Sequence, residues 1–120
     1  MNTTWSNVWV LNSDSILRLT PKSSGVYIIW VSLKSGGLNC RYVGQAMNLE
    51  ERLLSHLSSA ESNSCLKENT SQYVCKYCTA EVPRQNDRDG IELFLYQHYN
   101  PRCNNITPPG TTPIPVNLPL

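Results

Sequence analysis

The stretch that most constrains the fold is "GVYIIWVSL", Gly25 to Leu33, where almost every residue is β-branched, aromatic or aliphatic. A run of this kind without clean alternation of polar and apolar residues predicts a strand covered on both faces. "KSGG" at 34–37 supplies a turn, and "NCRYVG" at 39–44 returns as a second strand, so the pair reads as a hairpin. The loop could close at more than one position, which leaves the register open.

A helix follows with its start clearly marked. Asn48 is a good N-cap, and Glu51 three residues later completes a capping-box pattern. Leu49, Leu53, Leu54 and Leu57 form the apolar stripe, with Arg52 and His56 four apart on its flank. Residues 58–71 are rich in Ser and Asn and read as a loop. A third strand spans about 72–82 and ends at Pro83. A second helix spans about 88–99, with Ile91, Phe94, Leu95 and His98 or Tyr99 at core spacing, and Asn100-Pro101 stops it.

The expected fold class is therefore α/β (α+β), a small three-stranded antiparallel sheet flanked by helices in one domain over residues 21–105. Residues 1–20, with Trp5 and Trp9, form a lead expected to pack on the domain edge. Residues 106–120 form a Pro-rich tail that is extended or irregular.

Charge and length exclude some functions. The 120 residues carry a net charge of +1, so no basic excess announces nucleic-acid binding unaided. No apolar run approaches the roughly 20 residues that span a bilayer, and no secretory leader is recognisable. The expected location is cytoplasmic, or else the nucleoid or nucleus. Five cysteines in such a setting are expected to be reduced thiols. "CKYC" at Cys75–Cys78 matches a zinc-binding pair, but Cys65, His98 and Cys103 do not repeat its spacing. On a strand, Cys75 and Cys78 would face opposite sides, so buried strand cysteines are the better reading.

The order of hairpin, helix, strand and helix, with a tyrosine on each of the first two strands, resembles the GIY-YIG nuclease family. "GVY" at 25–27 and "YVG" at 42–44 match its two name-giving triplets, each with Val for Ile. "NLEERLLSH" carries Arg52 and His56 where the family has an arginine and then a tyrosine or histidine. "DRDGIELFLYQHYNPRCN" carries Glu92 at the position of the family's metal-binding glutamate and Asn104 in its P-x-x-N position.

The resemblance implies an endonuclease that hydrolyses DNA phosphodiester bonds with an activated water, leaving 5′-phosphate and 3′-hydroxyl ends. Such a reaction needs a base, a cation near the phosphorane charge and help for the departing oxygen. The implied catalytic set is Tyr27, Tyr42, Arg52, His56, Glu92 and Asn104. Glu92 would hold Mg²⁺ or Mn²⁺, which keeps several waters and needs few protein ligands. Arg52 would present its planar fork to phosphate. A tyrosine, with an ordinary pKa of about 10, becomes a base only with a cation or a proton-accepting neighbour; which of the two acts is open. Gly44 would let the backbone approach the site, and with Gln45 and Arg52 it completes the substrate-binding set. Asn104 is expected to bond a tyrosine hydroxyl or phosphate.

Other readings stand beside this one. Tyr27 and Tyr42 would be ordinary strand aromatics, and Asp89 with Glu92 is itself a capping-box spacing. Gln45 stands where many relatives carry a basic residue. With the near-neutral charge, this points to DNA grip supplied by a protein partner or homodimer, with double-stranded, branched or damaged DNA as substrate. The alternative function is a non-catalytic DNA-binding or protein-interaction module on the same fold.

Overall fold

The structure, a computed structural model, describes all 120 residues. In chain order its elements are β1 (Trp9–Val10), α1 (Ser13–Leu19), β2 (Gly25–Ser32), β3 (Leu38–Ala46), α2 (Leu49–Leu57), α3 (Ser64–Gln72), β4 (Cys75–Glu81) and α4 (Gln85–Tyr99). The strands form one antiparallel sheet in the order β1-β4-β2-β3.

The sheet has four strands, not three. The added one comes from the N-terminal lead, where Trp9 pairs with Tyr77 and Val10 with Lys76. Two residues carry too little pattern to be read as a strand, and the edge of β4 supplies the missing hydrogen bonds. The lead thus packs on the domain edge as its tryptophans suggested.

β2 is buried on both faces, as its composition required. Tyr27, Ile29 and Val31 point into one core with Leu49, Leu53 and Leu66, while Val26, Ile28 and Trp30 point into another with Ile91 and Leu95. Helices α1, α2 and α3 cover the first face; α4 and the tail cover the second. Cys75 belongs to the first core and Cys78 to the second, so the two thiols cannot reach one ion. No group of three or more His, Cys, Asp and Glu side chains is placed to hold a metal.

The hairpin register is Gly25 opposite Ala46, Tyr27 opposite Gly44 and Ile29 opposite Tyr42, with a bulge between Ile29 and Trp30. α2 begins as predicted, the Asn48 side chain accepting from Glu51 N at 3.0 Å. The segment read as a loop contains α3. Asn63 caps it by accepting from Leu66 N at 3.0 Å, and buried Leu66 anchors it. Its polar, aperiodic sequence hides a helix that tertiary contacts maintain.

One of those contacts corrects the expectation of five reduced thiols. Cys65 of α3 forms a disulfide with Cys103, their Cα atoms 5.3 Å apart, while Cys40, Cys75 and Cys78 are free. The tail is extended and meets the lead: Trp5 Nε1 donates to Asn117 O at 2.8 Å, and the Asn117 side chain pairs with the Thr3 backbone. No helix is long and apolar enough to cross a membrane.

Candidate active site

The hairpin register and the start of α2 bring four of the expected residues together. Tyr27 lies across its register partner Gly44, whose lack of a side chain admits the ring: a Cβ there would come 2.5 Å from Tyr27 Cζ and Oη. α2 then sets His56 against this ring, and Tyr27 Oη and His56 Nε2 are 2.7 Å apart. Tyr42 stacks on Tyr27 at 6.1 Å between ring centres and meets His56 edge-on at 5.3 Å. On the other side of the imidazole, Nδ1 lies 2.6 Å from Glu61 Oε2.

Burial and charge set the protonation states. Burial pushes the Tyr27 phenol well above its ordinary value, Tyr42 adds to this, and the Arg52 guanidinium opposes it. Tyr42 is also raised by burial, again with Arg52 opposing. Burial lowers His56, although Glu61 pulls the other way. Both phenols and the imidazole are thus neutral near pH 7, with Arg52 the cation that favours loss of a phenol proton.

Tyr27 and His56 are almost wholly buried. Tyr42 is half-buried and, with Arg52, Asn104 and Glu61, lines a hollow of about 200 Å³. Arg52 also lines a second hollow of about 410 Å³ bounded by Met47, Asn48 and Ser55. The largest hollow, about 560 Å³, lies between the lead and the β4–α4 turn and contains none of these residues.

Glu92 approaches from the other face of the sheet. The capping-box explanation for it fails, because α4 begins at Gln85 and places Asp89 and Glu92 inside the helix. β3 is an edge strand, so a carboxylate on its α4 side still raises the pKa of both phenols on its α2 side. Glu92 is itself raised by burial, Gln45 opposing and Asp89 adding to the shift. Its Oε1 accepts from Gln45 Nε2 at 2.9 Å, and the same amide donates to Asp89 Oδ1 at 2.8 Å. Glu92 Oε2 accepts no bond from the protein. A hard oxygen donor with one free lone-pair face suits a small divalent cation that retains most of its waters. Gln45, expected on the substrate side, is instead tied to two carboxylates and to Gln85, which donates to its Oε1 at 2.9 Å.

Asn104 departs from its expected partner. Its Oδ1 accepts from Val43 N at 3.0 Å and its Nδ2 donates to Val43 O at 2.9 Å. Both halves of the amide are used on the part-buried outer edge of β3, so no tyrosine hydroxyl is bonded. The side chain acts as a one-residue strand beside Tyr42, pairing the edge that would otherwise be open. Cys103 N extends this by donating to Arg41 O at 2.8 Å.

Sequence reading missed Glu61, Asn63 and Arg88. Glu61 and Asn63 sit in the Ser- and Asn-rich stretch, where only the Asn63 N-cap spacing carried a signal. Asn63 N donates to Glu61 Oε1 at 2.9 Å and Asn63 Nδ2 to Cys103 O at 2.8 Å. Arg88 is buried and holds Val82 O and Pro83 O, each at 2.9 Å, fastening the start of α4 to the end of β4.

Comparison with known proteins bears on the fold that carries this site. No protein-family profile and no curated protein sequence matches the chain. Solved structures do: the GIY-YIG N-terminal endonuclease domain of UvrC from Thermotoga maritima superposes in several forms. An asparagine-to-alanine mutant bound to its catalytic divalent cation gives a TM-score of 0.58 at 24% identity. A tyrosine-to-phenylalanine mutant gives 0.58 at 26%. Both cover 78% of this chain and 93% of the other. The magnesium-bound form gives 0.57 at 26% identity, covering 76% and 92%.

Proposed function

We propose that this chain, which is a GIY-YIG domain, is a metal-dependent endonuclease hydrolysing DNA phosphodiester bonds. The observation that carries the reading is the 2.7 Å contact of Tyr27 Oη with His56 Nε2, with Tyr42 stacked beside it and Arg52 acting on both phenols. That arrangement gives a phenol somewhere to send its proton and a cation to favour its ionised form.

The roles follow from exposure and charge. Tyr42 faces the hollow and is the phenol best placed to meet an incoming water; Tyr27 and His56 form the buried proton-accepting pair behind it. Arg52, on the rim of two hollows, is the group for phosphate oxygens. Glu92 would hold Mg²⁺ or Mn²⁺, which supplies Lewis-acid stabilisation of charge on the phosphate and the departing oxygen. Gly44 admits Tyr27, and Asn104 positions the strand that carries Tyr42. DNA affinity beyond what a +1 chain provides would come from a protein partner or a second copy, and the protein would reside where DNA does.

The test is nicking of supercoiled plasmid with Mg²⁺ or Mn²⁺ by the wild type, Glu92→Ala and Arg52→Ala. Loss of nicking in both variants supports the reading, and equal nicking by all three overturns it. One observation favours a binding-only module: Gln45 occupies part of the Glu92 carboxylate. A wild type that shifts nicked or branched DNA in a gel, yet neither cleaves it nor takes up metal in a titration, would decide for that reading.

A further inference from the structure

Glu61 has no role in the reaction proposed above, yet its side chain is almost fully buried and uses both carboxylate oxygens. Oε2 meets His56 Nδ1 at 2.6 Å, and Oε1 accepts from Asn63 N at 2.9 Å. We infer that Glu61 is a positioning residue for catalysis, fixing His56 in the tautomer whose bare Nε2 accepts the hydroxyl hydrogen of Tyr27. The catalytic half of this rests on the nuclease reading of the site; the tautomer does not.

An ionised carboxylate can only accept, so it must face a ring nitrogen that carries hydrogen. Glu61 is held ionised: its carboxyl sits below its ordinary value, with burial opposing and the bonds from Asn63 N and His56 outweighing it. A neutral imidazole has one hydrogen on its nitrogens. With that hydrogen on Nδ1, Nε2 is an acceptor, and the 2.7 Å contact can only be Tyr27 O–H donating to it. The charged and titratable groups facing His56 are Tyr27 from β2, Tyr42 from β3, Arg52 from its own helix, and Glu61 from the α2–α3 turn. Among these, Glu61 is the only group at Nδ1.

The proton balance is closed. As the Tyr27 O–H bond breaks, an N–H bond forms at Nε2, leaving a phenolate and an imidazolium. Tyr27, His56 and Glu61 together carry one negative charge before and after, so no net charge is created in the buried site. The Tyr27 phenolate regains a hydrogen from the Tyr42 hydroxyl as that O–H bond breaks, Tyr42 in turn takes one from the attacking water as its O–H bond breaks, and Nε2 gives up its proton as the cluster resets. Without the carboxylate, the ring could place its hydrogen on Nε2 and present a donor to Tyr27, which blocks the transfer.

Glu61 is itself anchored. Asn63 caps α3 and holds Cys103 O, and Cys103 is joined to Cys65. The carboxylate is therefore fixed by elements outside the hairpin, as a positioning group must be.

The test is nitrogen-15 NMR of the imidazoles in the full chain. With only two histidines, His98→Gln assigns both. The wild type should show a protonated Nδ1 and a bare Nε2 for His56, and Glu61→Gln should give the reversed or mixed tautomer while circular dichroism stays native. In plasmid nicking, Glu61→Gln should lose about 10- to 100-fold in kcat with KM little changed. In a His56→Ala background the same change should add nothing. Glu61→Asp, which keeps the charge, serves as the second variant and should retain the tautomer. An Nε2–H tautomer in the wild type overturns the inference, as does an altered tautomer with full kcat. A wild type that cleaves nothing removes both the nuclease reading and the catalytic half, while the nitrogen shifts still decide the tautomer.

Discussion

Tyr27 and Gly44 face each other across the β2–β3 hairpin so closely that the phenol occupies the space a side chain at position 44 would fill. Strand alternation puts them on the α2 face, and the absence of a Cβ lets the ring lie down toward His56. Gly44→Ala should therefore push the Tyr27 hydroxyl away from His56 Nε2. Overpacking of this kind costs about 1–3 kcal/mol, and a displacement near 1 Å in a catalytic group can cost about 10²-fold in rate. A folded, modestly destabilised protein with strongly reduced nicking is the expected outcome. Full activity in a stable Gly44→Ala variant would show that the tyrosine need not lie there.

Arg52 offers a sharper distinction than simple removal. Its guanidinium acts on both phenols and stands at the rim of the hollow that Tyr42 lines. Lysine keeps the charge and loses the planar fork. Arg52→Lys should retain more nicking than Arg52→Ala, whose loss should reach about 10²- to 10³-fold in kcat. If the two variants are equally impaired, the fork rather than the charge is what the reaction uses.

Much of this site could be read before any coordinates. The Tyr27 strand, the Asn48 cap and the Arg52–His56 spacing are local signals, fixed by alternation and by capping geometry. What stayed hidden depends on tertiary contact. β1 exists only because β4 has an open edge; α3 lacks periodicity and is held by Leu66 and a disulfide. Glu61 carries no signature in "SSAESNS", since its role comes from a turn that folds back on His56. Asn104 was found by its position after the proline, but its partner was not, because a backbone edge leaves no mark in the sequence.

The partner of Asn104 has its own consequence. Both ends of its amide are spent on Val43, next to Tyr42 in the chain. Asn104→Ala should leave the Val43 N–H and C=O unpaired at a part-buried edge, costing about 1–3 kcal/mol for each group that water does not reach. Activity should fall through movement of Tyr42, with metal affinity nearly unchanged. Asn104→Asp can still accept from Val43 N but cannot donate to Val43 O, so its stability should lie between the two. Denaturant midpoints and magnesium titrations measured on the same three proteins would separate a structural loss from a chemical one.

The Cys65–Cys103 bond joins residues 38 apart in sequence. Loop closure of that length should stabilise the fold by about 3–4 kcal/mol. Reductant, or Cys65→Ser, should lower the melting temperature by at least several degrees. Nicking measured well below that temperature should fall less than in Glu61→Gln. Loss of the bond loosens α3 and the Asn63 contact indirectly, whereas Glu61→Gln removes the carboxylate itself. A melting temperature indifferent to reductant, in protein shown by mass to carry the bond beforehand, would remove the disulfide from the account of stability.

The pH dependence follows from the two shifts at His56 and Glu61, which act in different windows. Burial keeps the folded His56 below its ordinary value, so it resists protonation. An unfolded histidine binds its proton near pH 6.5. Below that pH the unfolded chain carries more protons, so the stability present above about 6.5 is lost as pH falls toward the folded value. Glu61 is held below its ordinary value, so its stabilisation is present above the unfolded carboxyl range near 4.3 and is lost as pH falls through the folded one. Nicking should follow His56, because only the neutral ring accepts from Tyr27. Activity should therefore persist as pH falls past about 6.5 and fail only where pH falls through the lowered folded value of His56. Melting temperatures from about pH 2 to 8 should decline in both windows for the wild type, and His56→Gln should flatten the upper one. Glu61→Gln should flatten the lower one and move the acid limit of nicking further down, since removing the carboxylate makes the imidazole still harder to protonate. An acid limit that rises in Glu61→Gln would mean that the carboxylate does not act on His56 in the way the 2.6 Å contact implies.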